Sequence, residues 1–191
     1  MTEHVDAVLS PAWTANPATG TRGRETEWLA FTTLSVESGQ LMIGDASYLP
    51  DPDACLALEV QPGTYTISVK VMDYGTDKRI SRLRIARAGA EPELGRKAGA
   101  VWADVGRTGV CDAERFGAVE PLKDEQRWTE TIGAALDAAE THGVATFEGV
   151  EMPFVSSGFG DGEFPVYPLK SGGEPVGAEV QFIKPTERYP F

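Results

Sequence analysis

The sequence is poor in the groups on which most enzymes build a reaction centre. It holds 2 Cys and 2 His in 191 residues. With only His4 and His142, a zinc centre or a Ser/His triad has almost no raw material. Cys55 and Cys111 lie far apart and fit no metal-ligand or redox spacing. Two thiols in a reducing compartment are therefore expected in preference to a disulfide. No metal and no cofactor is expected. Apolar runs long enough to span a bilayer are missing as well. The first ten residues carry Glu3 and Asp6 and lack a basic stretch followed by an apolar one, so no export signal is expected and the cytoplasm is the expected compartment. Positive charge is also scarce: 17 Lys+Arg against 29 Asp+Glu leave a formal net charge of −12. Neutralising a phosphate backbone needs the opposite balance, which argues against a nucleic-acid partner.

What is present reads as an ordinary folded chain, 41% hydrophobic and 24% charged. Its 21 Gly and 13 Pro favour short strands and many turns. We expect an irregular segment over 1–25, with 5–9 a short strand or turn and 10–24 a loop, followed by a single globular domain over 26–191. Residues 27–36 and 41–43 read as strands joined at Glu37-Ser38-Gly39. The clearest strand is 64–72, where Tyr65, Ile67, Val69 and Val71 alternate with polar residues at a period of two. Residues 79–87 follow a turn and read as its antiparallel partner. One segment is convincingly helical: over 125–142, Trp128, Ile132, Ala135, Leu136 and Ala139 share a face. Asp124 is placed to cap its start, and His142 and Gly143 to mark its end. Strands return at 154–156 and 164–169, with Pro165 and Pro168 assigning the latter to a sheet edge or to bulges. Val176, Ala178, Val180 and Phe182 alternate after Gly172-Gly173, as in a closing hairpin. The expected fold class is α+β, β-rich, a mainly antiparallel sheet or sandwich with one main helix.

Three groups of residues carry possible chemistry. Asp104-Val105-Gly106, with Asp112 downstream, supplies two carboxylates that suit either acid–base work and metal sharing or the capping of turns at Gly106 and Gly109. Ser156-Ser157-Gly158-Phe159-Gly160-Asp161-Gly162 places three glycines where amide groups can converge on an anion, but the Walker arrangement of Lys and Ser/Thr is missing. Asp161 suits a hard cation or, more simply, a tight turn bonded to its own backbone. Arg79, Arg82, Arg84 and Arg87 gather on one stretch, with Arg82 and Arg84 on one sheet face. They fit bidentate capture of an anionic ligand or pairing with acidic groups across strands, and the second reading is favoured. The candidate catalytic residues are thus Asp104, Asp112 and Asp161. The candidate ligand-binding residues are Ser157, Gly158, Gly160, Asp161, Gly162, Arg82 and Arg84.

Taken in order, these segments resemble the bacterial domain-of-unknown-function 4241 family. The matching residues are Asp104, Gly106 and Asp112, then Ser157, Gly158, Gly160, Asp161, Gly162 and Phe164, with Pro62, Gly63 and Tyr65 opening the best strand and Arg84-Ile85-Ala86 ending the next. The resemblance runs from about residue 40 to 183. Phe159 replaces a usual Trp, Phe164 a usual Tyr, and Gln181 stands where an Asp is expected. Gly44-Asp45-Ala46 looks like a family turn that has lost its proline. The family implies kinship of fold and no reaction.

Two functions are compatible with these residues. One is a non-catalytic module whose acidic surface meets a basic protein partner, such as an immunity protein that neutralises a toxin. The other is a hydrolase-like enzyme, or a binder of a small ligand or metal, with the three aspartates converging at the glycine loop. No nucleic-acid or membrane partner is expected.

Overall fold

A computed structural model describes residues 5–9, 17–49, 55–117, 125–139, 141–147 and 149–191. In chain order the elements are α1 (Val5–Leu9), β1 (Arg24–Glu25), β2 (Leu29–Val36), β3 (Gln40–Asp45), β4 (Cys55–Glu59), β5 (Gly63–Asp73), β6 (Lys78–Arg87), β7 (Glu93–Leu94), β8 (Gly99–Ala103), β9 (Arg107–Asp112), α2 (Ala113–Gly117), α3 (Glu125–Ala138), β10 (His142–Phe147), β11 (Val150–Ser156), β12 (Gly162–Ser171) and β13 (Glu174–Gln181). The fold is β-rich with one main helix, as expected. Among the described residues, no helix is long and apolar enough to cross a membrane.

Every strand pairing is antiparallel, and the strands divide into two sheets. The larger has eight strands and curls into a half-barrel. Its central order is β5-β6-β13-β12, with β1 and β2 sharing the outer edge of β5 and β7 and β8 sharing that of β12. The smaller has five strands in the order β10-β11-β9-β3-β4. The β5–β6 hairpin is the pair read from the alternation of apolar residues, in register from Tyr65 opposite Arg87 to Asp73 opposite Lys78. The β12–β13 hairpin closes over Gly172-Gly173.

Packing makes three layers. Tyr65, Ile67, Val69 and Val71 of β5 turn inward and meet Leu41, Ile43, Val110 and Val155 from one face of the smaller sheet. The other face of that sheet supplies Cys111, Met152 and Phe154 to a second core, closed by Phe116 of α2 and Ile132 of α3. The middle layer is buried on both sides, so β9 and β11 carry nearly continuous buried residues where a half-exposed strand would alternate. Burial pushes the Cys111 thiol well above its usual range, with the neighbouring Cys55 and Asp112 acting in the same direction.

Several local expectations are corrected. Residues 5–9 form a helical turn and not a strand, and Val5 is fully buried in the main core. Within the segment expected to be irregular, Gly20 and Thr21 bond Tyr189 and β1 joins β5, while residues 10–16 lie outside the described residues. The main helix ends at Ala138, short of 142. His142 instead opens β10, where its ring meets Phe31 edge-on at 5.0 Å, and Gly143 is a strand residue. Asp124 and the Trp128 side chain lie outside what is described. β12 is an interior strand, yet its prolines cost no ladder bond. Pairing with β13 begins only at Val166, after Pro165, and Pro168 falls between the end of β8 pairing and the start of β7 pairing.

Candidate functional site

Of the three candidate catalytic aspartates, Asp112 stands apart from the other two. Asp112 ends β9, six residues beyond Gly106, or roughly 20 Å along an extended strand. Its side chain is buried, and its oxygens accept four backbone bonds. Oδ2 takes the Glu37 and Ser38 N–H groups at 2.6 and 2.9 Å, and Oδ1 takes those of Glu114 and Arg115 at 3.1 Å each. Burial alone would raise this carboxyl, but the hydrogen bonds from Ser38, Arg115 and Glu37 outweigh it and hold the pKa below its ordinary value. Asp112 thus pins the turn that carries the chain from β2 in the larger sheet to β3 in the smaller, and caps α2.

Asp45, at the far end of the neighbouring β3, does the same for a second crossover. Its Oδ2 accepts the Asp104 and Val105 N–H groups at 2.6 and 3.0 Å, fixing the turn from β8 to β9, and its Oδ1 accepts the Ser47 N–H at 2.7 Å. Asp104 therefore enters this latch through its backbone, and its own side chain is exposed. Gly109 marks no turn, because it lies inside β9. A Cβ there would fall 2.3 Å from Leu49 Cδ1, so close packing demands the glycine.

The glycine loop is a third crossover, leading from β11 to β12. The Ser157 N–H donates to the Gly106 carbonyl and the Gly160 N–H to the Ser157 carbonyl, both at 2.9 Å, so these amides are engaged inside the turn. Ser157 Oγ and Thr108 Oγ1 lie 2.9 Å apart, both fully buried. Gly158 has φ +59°, and a Cβ on it would stand 3.1 Å from Phe182 Cβ, a position that only glycine fills without strain. Phe159 anchors the loop against Tyr74, Tyr189 and Phe191 at ring separations of 5.8 to 5.9 Å. Asp161 is exposed and sits over Gly106, whose missing Cβ would lie 3.6 Å from Asp161 Oδ1.

Arg82 and Arg84 pair across strands. The Glu179 carboxylate, almost fully buried, takes Arg82 Nη1 at 2.7 Å and Arg84 Nη2 at 2.8 Å. Arg82 Nε also donates to Glu25 Oε1 at 2.9 Å, and Arg84 stacks 3.9 Å over the Trp28 ring. Burial opposes the charge of Arg82, but Glu179 and Glu25 overcome it and raise its pKa. Arg87 bonds Gln61 at the other end of β6.

Among the described residues, two hollows are large enough for a partner or ligand to enter. The larger, about 800 Å³, opens between the glycine loop, the start of β6, the start of β9 and the end of α3. Lys78, Arg79, Arg107, His142 and Phe159 line it together with Asp161. The smaller, about 390 Å³, runs between β4 and β8 and is lined by Tyr48, Leu56, Trp102 and Asp104. Asp112 borders neither. It lies beside a third hollow of about 60 Å³ next to Leu34 and Arg115. Among the described residues, no three of His, Cys, Asp and Glu gather as a metal centre requires. Residue-by-residue reading passed over Lys78, Arg107, His142 and Trp102 as site residues. Arg107 directly follows the Asp104-Val105-Gly106 turn and Lys78 opens the basic strand, so the signal was adjacency to a group already singled out. No family model, curated protein or solved structure matches the chain.

Proposed function

We propose that the protein is a cytoplasmic, non-catalytic interaction module that recognises a basic protein, in the manner of a bacterial immunity protein that neutralises a toxin. The observation that carries this reading is Trp102. It is 60% exposed on an edge strand, beside Tyr48 at 48%. Its cross-strand neighbour Glu163 and the nearby Asp104 are both exposed carboxylates. An aromatic anchor in a shallow groove with a charged rim is the usual make-up of an interface hot spot. An acidic rim on a chain of net charge −12 selects a basic partner and speeds its approach. The alternative, a hydrolase built on an Asp cluster, loses support because Asp104, Asp112 and Asp161 border three separate hollows. Kinship with the domain-of-unknown-function 4241 family is part of this proposal. It rests on the turn and glycine-loop residues, which here build the crossovers between sheets.

Affinity capture from the native host tests the reading, run in parallel on the wild type and Trp102→Ala. The expected result is a basic protein, identified by mass spectrometry, whose retention falls steeply between about 50 and 500 mM salt. Trp102→Ala is expected to weaken that binding by about thirtyfold, the loss of one hot-spot anchor. Equal retention by Trp102→Ala, or recovery of an acidic partner, contradicts it.

A further inference from the structure

A strand edge borders the groove beside Trp102. Among the described residues, β8 pairs only with β12, so its other edge is unpaired. The direction of its backbone groups follows from that pairing. Pro165 stands opposite Ala100 and has no N–H, so this pair carries no ladder bond and the bonds to β12 run through Gly99, Val101 and Ala103. The N–H and C=O groups of Ala100 and Trp102 then point away from β12, and both residues line the groove. Such a row is a template for another strand, and natural edges are blunted by charge or proline. Gly99–Ala103 carries neither. The two sides of the edge differ in chemistry. Trp102 is exposed on the outer side, with the exposed Glu163 across from it and the exposed Asp104 two positions on. On the inner side Leu56 packs against Gly99, where a Cβ would lie 3.2 Å from Leu56 Cδ1.

We infer that β8 receives an extended segment of the basic partner as an added strand, its backbone bonded to Ala100 and Trp102 and its side chains alternating between basic and apolar. This inference rests on the reading of the Trp102 groove as a partner site and names the form in which the partner enters. Segment residues opposite Trp102 and Asp104 lie on the outer side, where Arg or Lys meets the two carboxylates and the indole face. The residues between them point to the inner side and meet Leu56. Main-chain bonds supply affinity that tolerates sequence change, and the alternation of side chains supplies selection. A helix laid on Trp102 would satisfy its own backbone and leave the groups of Ala100 and Trp102 to water.

The test is a ¹H–¹⁵N NMR titration of the full chain with the end-capped peptide Arg-Val-Arg-Val-Arg-Val-Arg. Its companions are the same peptide N-methylated at every Arg, the nitrogens that would face β8, and a counterpart with Glu in place of Arg. Saturable shifts are expected at Ala100 and Trp102, with slower solvent exchange of these two amides. The Val101 amide, already bonded to β12, is expected to keep its exchange rate. The N-methylated and Glu peptides are expected to bind at least about tenfold more weakly than the parent. Ala100→Pro removes one outward donor at an edge that tolerates proline, and is expected to weaken the parent peptide by about the same factor. The inference is overturned if no shift at Ala100 and Trp102 saturates by about 1 mM, if their exchange does not slow, or if Ala100→Pro leaves affinity unchanged. The two readings fail separately. Binding that needs Trp102 and Arg but tolerates N-methylation strikes strand addition and keeps the groove as the site of a basic partner, whereas equal binding of the Arg and Glu peptides strikes both.

Discussion

Asp112 and Asp45 stand at opposite ends of the paired strands β9 and β3, and each holds a turn arriving from the other sheet. A neutral amide at 112 keeps one acceptor oxygen and replaces the other with a donor facing two N–H groups, so Asp112→Asn is expected to cost about 2 to 3 kcal/mol at neutral pH, read from urea unfolding. The sign of its pH dependence follows from the depressed pKa. The stabilisation is complete above the unfolded-state value near 4 and is lost as pH falls through the lower folded value. The gap between wild type and Asp112→Asn should therefore narrow from pH 5 toward pH 2. A gap that widened on acidification would contradict this role. The spacing of Asp104 and Asp112 drew attention to the right neighbourhood, but not to what the residues hold. The bond from Glu37 to Asp112 spans 75 positions, and nothing local in a sequence announces a partner that distant. Asp45, which performs the same task, was visible only as part of a turn.

At the scale of elements, legibility followed exposure. β5 and β6 alternate core-facing residues with more exposed ones, so their alternation was readable, and β13 stayed readable although 176–180 are all buried, because Gly177 and Glu179 interrupt its apolar residues. β9 and β11 are covered on both faces and lose the alternation, which hid the middle layer. The link at Glu37-Ser38-Gly39 reads as a turn joining two strands, and β2 and β3 belong to different sheets. Turn residues specify a change of direction and leave the destination to packing. One position controls the centre of the larger sheet. Gly177 of β13 has φ +140°, and a Cβ there would lie 1.9 Å from the Ile85 carbonyl oxygen of β6. Gly177→Ala is expected to separate the β6–β13 ladder and destabilise the protein by about 3 kcal/mol or more, as thermal or denaturant unfolding would report. A loss below about 0.5 kcal/mol, the range of ordinary surface changes, would mean that the two strands are not so closely apposed.

Over the whole molecule, charge is sorted by place. Part of the positive charge is matched on the outer face of the larger sheet, where Glu179 and Glu25 hold Arg82 and Arg84. Another part lines the cavity at the glycine loop. The Trp102 groove is left with an acidic rim. Asp104 and Glu163 at that rim are part of the net charge of −12. The proposal that this groove receives a basic protein is tested most directly by hydroxyl-radical footprinting of the captured complex against the protein alone. The account predicts that Trp102 and Tyr48 lose most of their labelling on binding, while Trp28, stacked under Arg84 on the same outer face but three strands away from Trp102, labels as before. Unchanged labelling at Trp102 with protection elsewhere would contradict it.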